Sequence, residues 1–139
     1  ASRENIRPNL SSEHKIEILQ LFEILKEAGT EFGYRTATEI QIYEQVAQKI
    51  GNWLPGEMMD SIIMQKLLPR LHGSRRKLED PLKQIIKFCL EKDEKIDDYL
   101  NHPTPSIKLS KVKFKFSLEK VQRMYQSLIS NSFTSYAEA

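Results

Sequence analysis

The sequence lacks the features that would mark a membrane protein or a strongly basic nucleic-acid binder. It contains no apolar run of about 18 residues, the length that a membrane-spanning helix needs. Its first residues have no apolar signal-peptide core. The net charge of +2 is too small to indicate a nucleic-acid partner by itself, so any basic surface must be local. We therefore expect a cytoplasmic protein without membrane contact.

Cysteine is scarce as well, which excludes a disulfide scaffold. The single cysteine, Cys89, cannot form an internal disulfide. It lies among apolar residues at helical spacing. We expect a buried, unreactive thiol in a reducing compartment.

Motifs for self-sufficient catalysis are also absent. The five glycines are too scattered to form a phosphate loop. His14, His72 and His102 lie far apart and have no second cysteine beside them, so no zinc site is predicted. No local motif favours a Ser–His–Asp or Cys–His group. We expect no catalytic residue, metal site or cofactor in the chain alone.

What the sequence does contain is the composition of a folded domain. Hydrophobic residues make up 40% and charged residues 29% of a 139-residue chain, which is large enough for one domain with its own core. Apolar residues recur at helical spacing along most of it, which predicts an all-α bundle of about five or six helices. We divide the chain into an N-terminal arm (1–10), a helical domain (11–100), a linker with a short strand (101–116), and a C-terminal helix and tail packed on the same domain (117–139).

Two segments outside the helices have a specific prediction. From Lys111 to Phe116, lysines alternate with apolar residues at the period of a strand, which predicts a lysine-protected strand or hairpin arm near 107–116. Alternatively, these lysines form a row that contacts the phosphates of a nucleic-acid backbone. Trp53 lies in a loop rich in turn residues, and we expect it to pin this loop to the core.

The stretch most typical of a functional site runs from 32 to 40. Thr36 and Glu39 have the spacing of a capping box, which predicts a helix over 37–50 with Arg35 directly before it. The first turn of a helix carries unpaired N–H groups and the positive end of the helix dipole, so Arg35 there favours a phosphate. Alternatively, Arg35 is solvated or pairs with a nearby carboxylate such as Glu31 or Glu39.

The densest positive cluster lies at the junction of two predicted helices. Its members are Arg70, Arg75, Arg76 and Lys77. They could contact the phosphates of DNA or of a nucleotide, or form a solvated and internally paired surface. Glu79 and Asp80 follow directly and weaken the positive field.

Three segments resemble the C-terminal portion of bacterial AAA+ motors related to McrB, the nucleotide-hydrolysing subunit of modification-dependent restriction systems. They read FGYRTATEI, DSIIMQKLLPRLHGSRRKLEDPLKQIIKFC and SLEKVQRMYQSLISNSFTSYAEA. The resemblance covers about 12–92 and 117–139. Its most specific segment runs from Gln65 to Ser74. Residues 101–116 follow no pattern of that family. In the family, an α/β core with the phosphate loop precedes such a helical region, so the resemblance implies a lid and C-terminal extension.

The resemblance also implies roles for the chain and its partners. Arg35 corresponds to the second sensor arginine of AAA+ lids, which reaches the terminal phosphates of ATP or GTP held with magnesium in the core. The implied partners are the core domain of the same polypeptide and neighbouring motor subunits, with a nuclease subunit and DNA in the full assembly. The alternative is a stand-alone helical module that binds nucleic acid through the cluster at 70–77. A small helical adaptor without a ligand is a third option.

Overall fold

A computed structural model describes residues 12–29, 34–53, 56–92, 94–100 and 111–139. Within these ranges the chain forms six α-helices and one two-stranded antiparallel sheet. The helices are α1 (Ser12–Glu27), α2 (Tyr34–Ile50), α3 (Glu57–Ile62), α4 (Arg75–Phe88), α5 (Asp97–Leu100) and α6 (Lys115–Asn131), and the strands are β1 (His72–Ser74) and β2 (Phe133–Ser135). The predicted all-α bundle with a small β element is confirmed. None of the helices in these ranges has the length and apolar character needed to cross a membrane.

The centre of the fold is the packing of α4 against α6. The buried apolar residues of this pair are Leu78, Leu82, Ile85 and Ile86 from α4, and Leu118, Val121, Met124, Tyr125 and Leu128 from α6. The ends of the two helices are also joined, because the backbone N–H of Arg75 donates to the carbonyl oxygen of Ser132 at 3.0 Å. β1 and β2 pair beside this junction, with Gly73 opposite Thr134.

Between α3 and β1 the helix widens before it ends. α3 runs directly into a π-helical turn (Ile63–Leu67) and a 3-10 turn (Leu68–Arg70) that contains Pro69. The sequence places apolar pairs at 62–63 and 67–68, and all four side chains are buried. Residues five apart do not share a face of an α-helix, whereas a wider turn brings them closer to one side. The π turn therefore allows both pairs to enter the core.

Asp60 of α3 holds the start of α6 in place. Its Oδ1 accepts the backbone N–H of Ser117 at 2.7 Å, and its Oδ2 accepts that of Phe116 at 2.9 Å. The Ser117 hydroxyl donates in turn to the Asp60 carbonyl oxygen at 3.0 Å. A carboxylate in this position satisfies N–H groups that a helix start leaves unpaired, and it faces the positive end of the dipole. Asp60 thus supplies the cap of α6, and Ser117 lies inside the first turn of this helix.

The strand predicted near 107–116 is wrong in its described part, 111–116, and residues 101–110 lie outside the described residues together with the predicted arm at 1–10. Val112 forms an isolated antiparallel bridge with Leu90, and Lys115 already begins α6. The physical reason is the Asp60 cap, which binds two backbone N–H groups of this segment as the start of a helix. The sheet forms elsewhere, between β1 and β2.

We expect Asp60→Ala to lower the free energy of unfolding by about 3 kcal/mol, because it leaves buried N–H groups at the start of α6 without an acceptor. Asp60→Asn should cost less, since its amide oxygen still accepts one hydrogen bond. Urea unfolding followed by far-UV circular dichroism measures both changes. Asp80→Ala, at an exposed carboxylate of α4, is the control and should stay within about 0.5 kcal/mol of the parent chain. A loss for Asp60→Ala no larger than for this control would contradict the capping role.

Cys89 should be unreactive in the folded chain. Its side chain is fully buried, and burial raises the pKa of the thiol well above its usual range, with the negative charge of Asp60 acting in the same direction. A raised thiol pKa lowers the thiolate fraction at neutral pH. We predict that Ellman's reagent at pH 8 modifies the native chain at least about 100-fold more slowly than the chain in urea. Similar rates in both conditions would show that the thiol is accessible.

Candidate functional site

Arg35 lies in the first turn of α2. The helix begins at Tyr34, so the predicted start at 37 with a Thr36 cap is wrong by about one turn. The reason is that the Thr36 side chain is buried and faces the core instead of the helix end. The side chain of Arg35 lies outside the described residues. Its backbone position is nevertheless where a helix presents unpaired N–H groups and positive potential.

α2 exposes an apolar face. Ile42, Val46 and Ile50 are 55%, 52% and 71% exposed, and we call these three residues the α2 apolar face. They follow one another at a spacing of four residues, and position 35 precedes Ile42 by seven, so Arg35 occupies the same side of the helix.

The opposite side of α2 is unusually polar for a buried surface. Gln41 and Glu44 are buried there beside Ile40 and Ala47. An amphipathic helix normally buries its apolar side and exposes its polar one. α2 departs from this pattern, because Ile42, Val46 and Ile50 are exposed while Gln41 and Glu44 are buried. Its exposed apolar side chains are typical of an interaction surface.

Glu39, which was a predicted partner of Arg35, forms an ion pair with Arg70. Its carboxylate lies 3.9 Å from the guanidinium of Arg70, and both side chains are partly exposed. This ion pair links α2 to the end of the 3-10 turn. It also pairs one member of the basic cluster, which consists of Arg70, Arg75, Arg76 and Lys77, with a carboxylate.

The basic cluster is only partly free. Arg75 contacts Glu79 through its Nε and Nη2, each at 3.3 Å from a carboxylate oxygen. This hydrogen bonding raises the pKa of Arg75 and lowers that of Glu79. Lys83 lies 3.9 Å from the same carboxylate.

The other two members of the basic cluster, Arg76 and Lys77, are exposed. The Lys77 side chain runs past Gly73, whose φ of 141° requires glycine. Sequence reasoning grouped four cations, and the structure pairs two of them with carboxylates.

A second site was not predicted from the sequence. A cavity of about 300 Å³ lies between the end of α2, α3, the π turn and the start of α6. It is lined by Trp53, Glu57, Asp60, Ser61, Met64, Gln65 and Phe116, and we call it the Trp53–Phe116 pocket. Trp53 donates from Nε1 to the Ala47 carbonyl oxygen at 2.6 Å, which confirms that it pins its loop. Phe116 lies far in sequence from the other lining residues, at 53–65, so no local signal revealed the pocket.

The comparisons with known proteins give a family without an assigned activity. A family described as a domain of unknown function, DUF8727, matches residues 2–133. The chain belongs to this family. No curated protein and no solved structure matches the chain. Function must therefore be argued from the residues themselves. Across the described ranges, no group of three or more His, Cys, Asp and Glu side chains could hold a metal ion.

Two isoleucines of α2, Ile40 and Ile42, test which side of this helix faces the core. Ile40→Ala should lower the free energy of unfolding by about 2 to 4 kcal/mol, because Ile40 is 1% exposed and its loss leaves a cavity. Ile42→Ala should change it by less than about 0.5 kcal/mol, since the side chain is largely in water. Urea titrations of the two variants measure the difference. Equal losses would mean that Ile42 is part of the core.

Proposed function

We propose that this chain is the lid and C-terminal module of a McrB-like AAA+ nucleotide-hydrolysing motor in a cytoplasmic DNA restriction or phage-defence system. It supplies Arg35 and contacts between subunits, and it performs no catalysis alone. The core domain of the same polypeptide holds ATP or GTP with magnesium. The full assembly includes neighbouring motor subunits, with a nuclease subunit and DNA.

The observation that carries this proposal is the exposed apolar face of α2 on the same side as Arg35. Exposed contiguous apolar surface is typical of an interaction site. These three residues lie in the C-terminal half of α2, so a domain packed on them that continues along the same side for about two more turns would reach the N-terminal end. That end favours an anion. A nucleotide-binding core docked on this face would thus bring its phosphates toward Arg35.

The chemistry expected of Arg35 is electrostatic. A guanidinium near the transferring phosphate stabilises the negative charge that develops on its oxygens. It acts only when the core supplies the phosphate loop and the magnesium ion. The motif segments from 32 to 40 and from Gln65 to Ser74 support the same assignment through their resemblance to McrB-like motors.

The alternative of a stand-alone nucleic-acid-binding module has less support. Arg70 and Arg75 are engaged with Glu39 and Glu79, so part of the cluster is already neutralised. Phosphate binding by the remaining cations would show a steep loss of affinity with salt. A polarisation titration with labelled DNA at two salt concentrations distinguishes the alternative from the lid proposal.

In the polypeptide that joins this chain to its nucleotide-binding core, Arg35→Ala should lower the rate of nucleotide hydrolysis at least about 10-fold, since a phosphate-contacting cation is lost. Arg35→Lys should recover part of the rate because it restores the charge without the planar guanidinium. Steady-state phosphate release measures both.

Arg123→Ala is the matched control for this experiment, because it removes an exposed arginine of α6 that lies outside the cluster at 70–77. It should leave the rate unchanged. An Arg35→Ala variant as active as the parent would contradict the proposed role. Hydrolysis by residues 1–139 alone that depends on Arg35 would contradict it as well.

A further inference from the structure

We propose that the Trp53–Phe116 pocket binds an arginine side chain of a partner protein. The site lies at the junction of α3 and α6, and it requires no nucleotide and no contribution from Arg35. It therefore goes beyond the proposed lid function.

Three of the seven side chains that line the pocket are apolar, those of Trp53, Met64 and Phe116. The indole of Trp53 is tied to the Ala47 carbonyl by its N–H. The Phe116 side chain is 58% exposed, while its backbone N–H is fixed by Asp60. Met64 adds a half-buried thioether. A volume of about 300 Å³ is at the lower limit of ligand pockets and suits one long side chain better than a nucleotide or a dinucleotide cofactor.

The charge of the pocket selects a cation. Two carboxylates line it, but both oxygens of Asp60 already accept N–H groups of α6. Glu57, in the first turn of α3, forms no ion pair with any residue that the structure describes. One uncommitted carboxylate beside aromatic faces favours a group that combines a positive charge with an apolar body.

Arginine fits this combination better than lysine. Its guanidinium is planar and weakly hydrated, stacks on aromatic rings and forms two parallel hydrogen bonds with a carboxylate. The ring of Phe116 already attracts a cation in this chain, because Nζ of Lys115 lies 5.6 Å from its centroid. Lys115 is exposed, so a better-matched cation can displace it.

A π turn forms part of the pocket wall. π-helical turns are rare and occur frequently at functional sites. This one spans Ile63–Leu67 and supplies Met64 and Gln65 to the lining of the pocket.

Trp53 makes the proposal testable without a label, since it is the single tryptophan of the chain. The experiment titrates the chain with N-acetyl-arginine amide and follows tryptophan fluorescence. We expect a saturable change with half-saturation on the order of 1 to 10 mM, as suits one isolated side chain. N-acetyl-citrulline amide has nearly the same shape without the charge and should bind at least about 10-fold more weakly.

Two variants test the named contacts. Glu57→Gln and Phe116→Ala should each weaken arginine binding at least about 5-fold, because they remove the carboxylate and one aromatic face. Glu119→Gln, a partly exposed carboxylate of α6 outside the pocket, is the matched control and should bind as the parent does. Urea unfolding verifies that each variant folds.

The proposal is contradicted if fluorescence shows no saturable change with the arginine probe, or if citrulline binds equally well. It is also contradicted if folded Glu57→Gln binds arginine as tightly as the parent chain. None of these outcomes depends on nucleotide hydrolysis, so they leave the role proposed for Arg35 unaffected.

Discussion

The capping of α6 by Asp60 is the interaction on which the arrangement of this chain depends. One buried carboxylate binds the N–H groups of Phe116 and Ser117 and thereby joins two helices that are far apart in sequence. The same contact decides that residues 115–117 are helical. It also places Phe116 opposite Trp53, which creates the pocket. A buried carboxylate that loses its hydrogen-bond donors costs on the order of several kcal/mol of folding free energy, so the folded chain keeps both N–H groups close to Asp60.

Sequence reasoning predicted the features that are local and missed those that are tertiary. Helical spacing was enough to identify α1, α4 and α6, and the fold class followed from it. The alternation at 111–116 is an equally clear local pattern, yet the Asp60 cap overrides it. The two apolar pairs at 62–63 and 67–68 would spread around more than half of the circumference of an α-helix, and the π turn at Ile63–Leu67 brings them closer to one side. The pocket could not be predicted, because its lining joins residues 53–65 to Phe116, which is far away in sequence.

The candidate site shows the same division. The sequence pattern predicted Arg35 directly before the helix, whereas α2 begins at Tyr34 and Arg35 lies in its first turn. The pairing of Arg70 with Glu39 required the structure, since the two residues belong to different elements. The exposed apolar residues of α2 were identified from the structure, because apolar spacing predicts a helix without revealing which of its apolar residues face solvent.

The docking of the α2 apolar face on a core domain is tested most directly by the accessibility of Val46. A Val46→Cys variant gives a single reactive thiol, because Cys89 is buried. In the isolated chain, maleimide should label this thiol at the rate of an exposed control such as Lys92→Cys. In the polypeptide that includes the nucleotide-binding core, labelling of Val46→Cys should slow at least about 10-fold while the control stays unchanged. Equal labelling of Val46→Cys in both polypeptides would contradict the docking of this face and the motor function inferred from it.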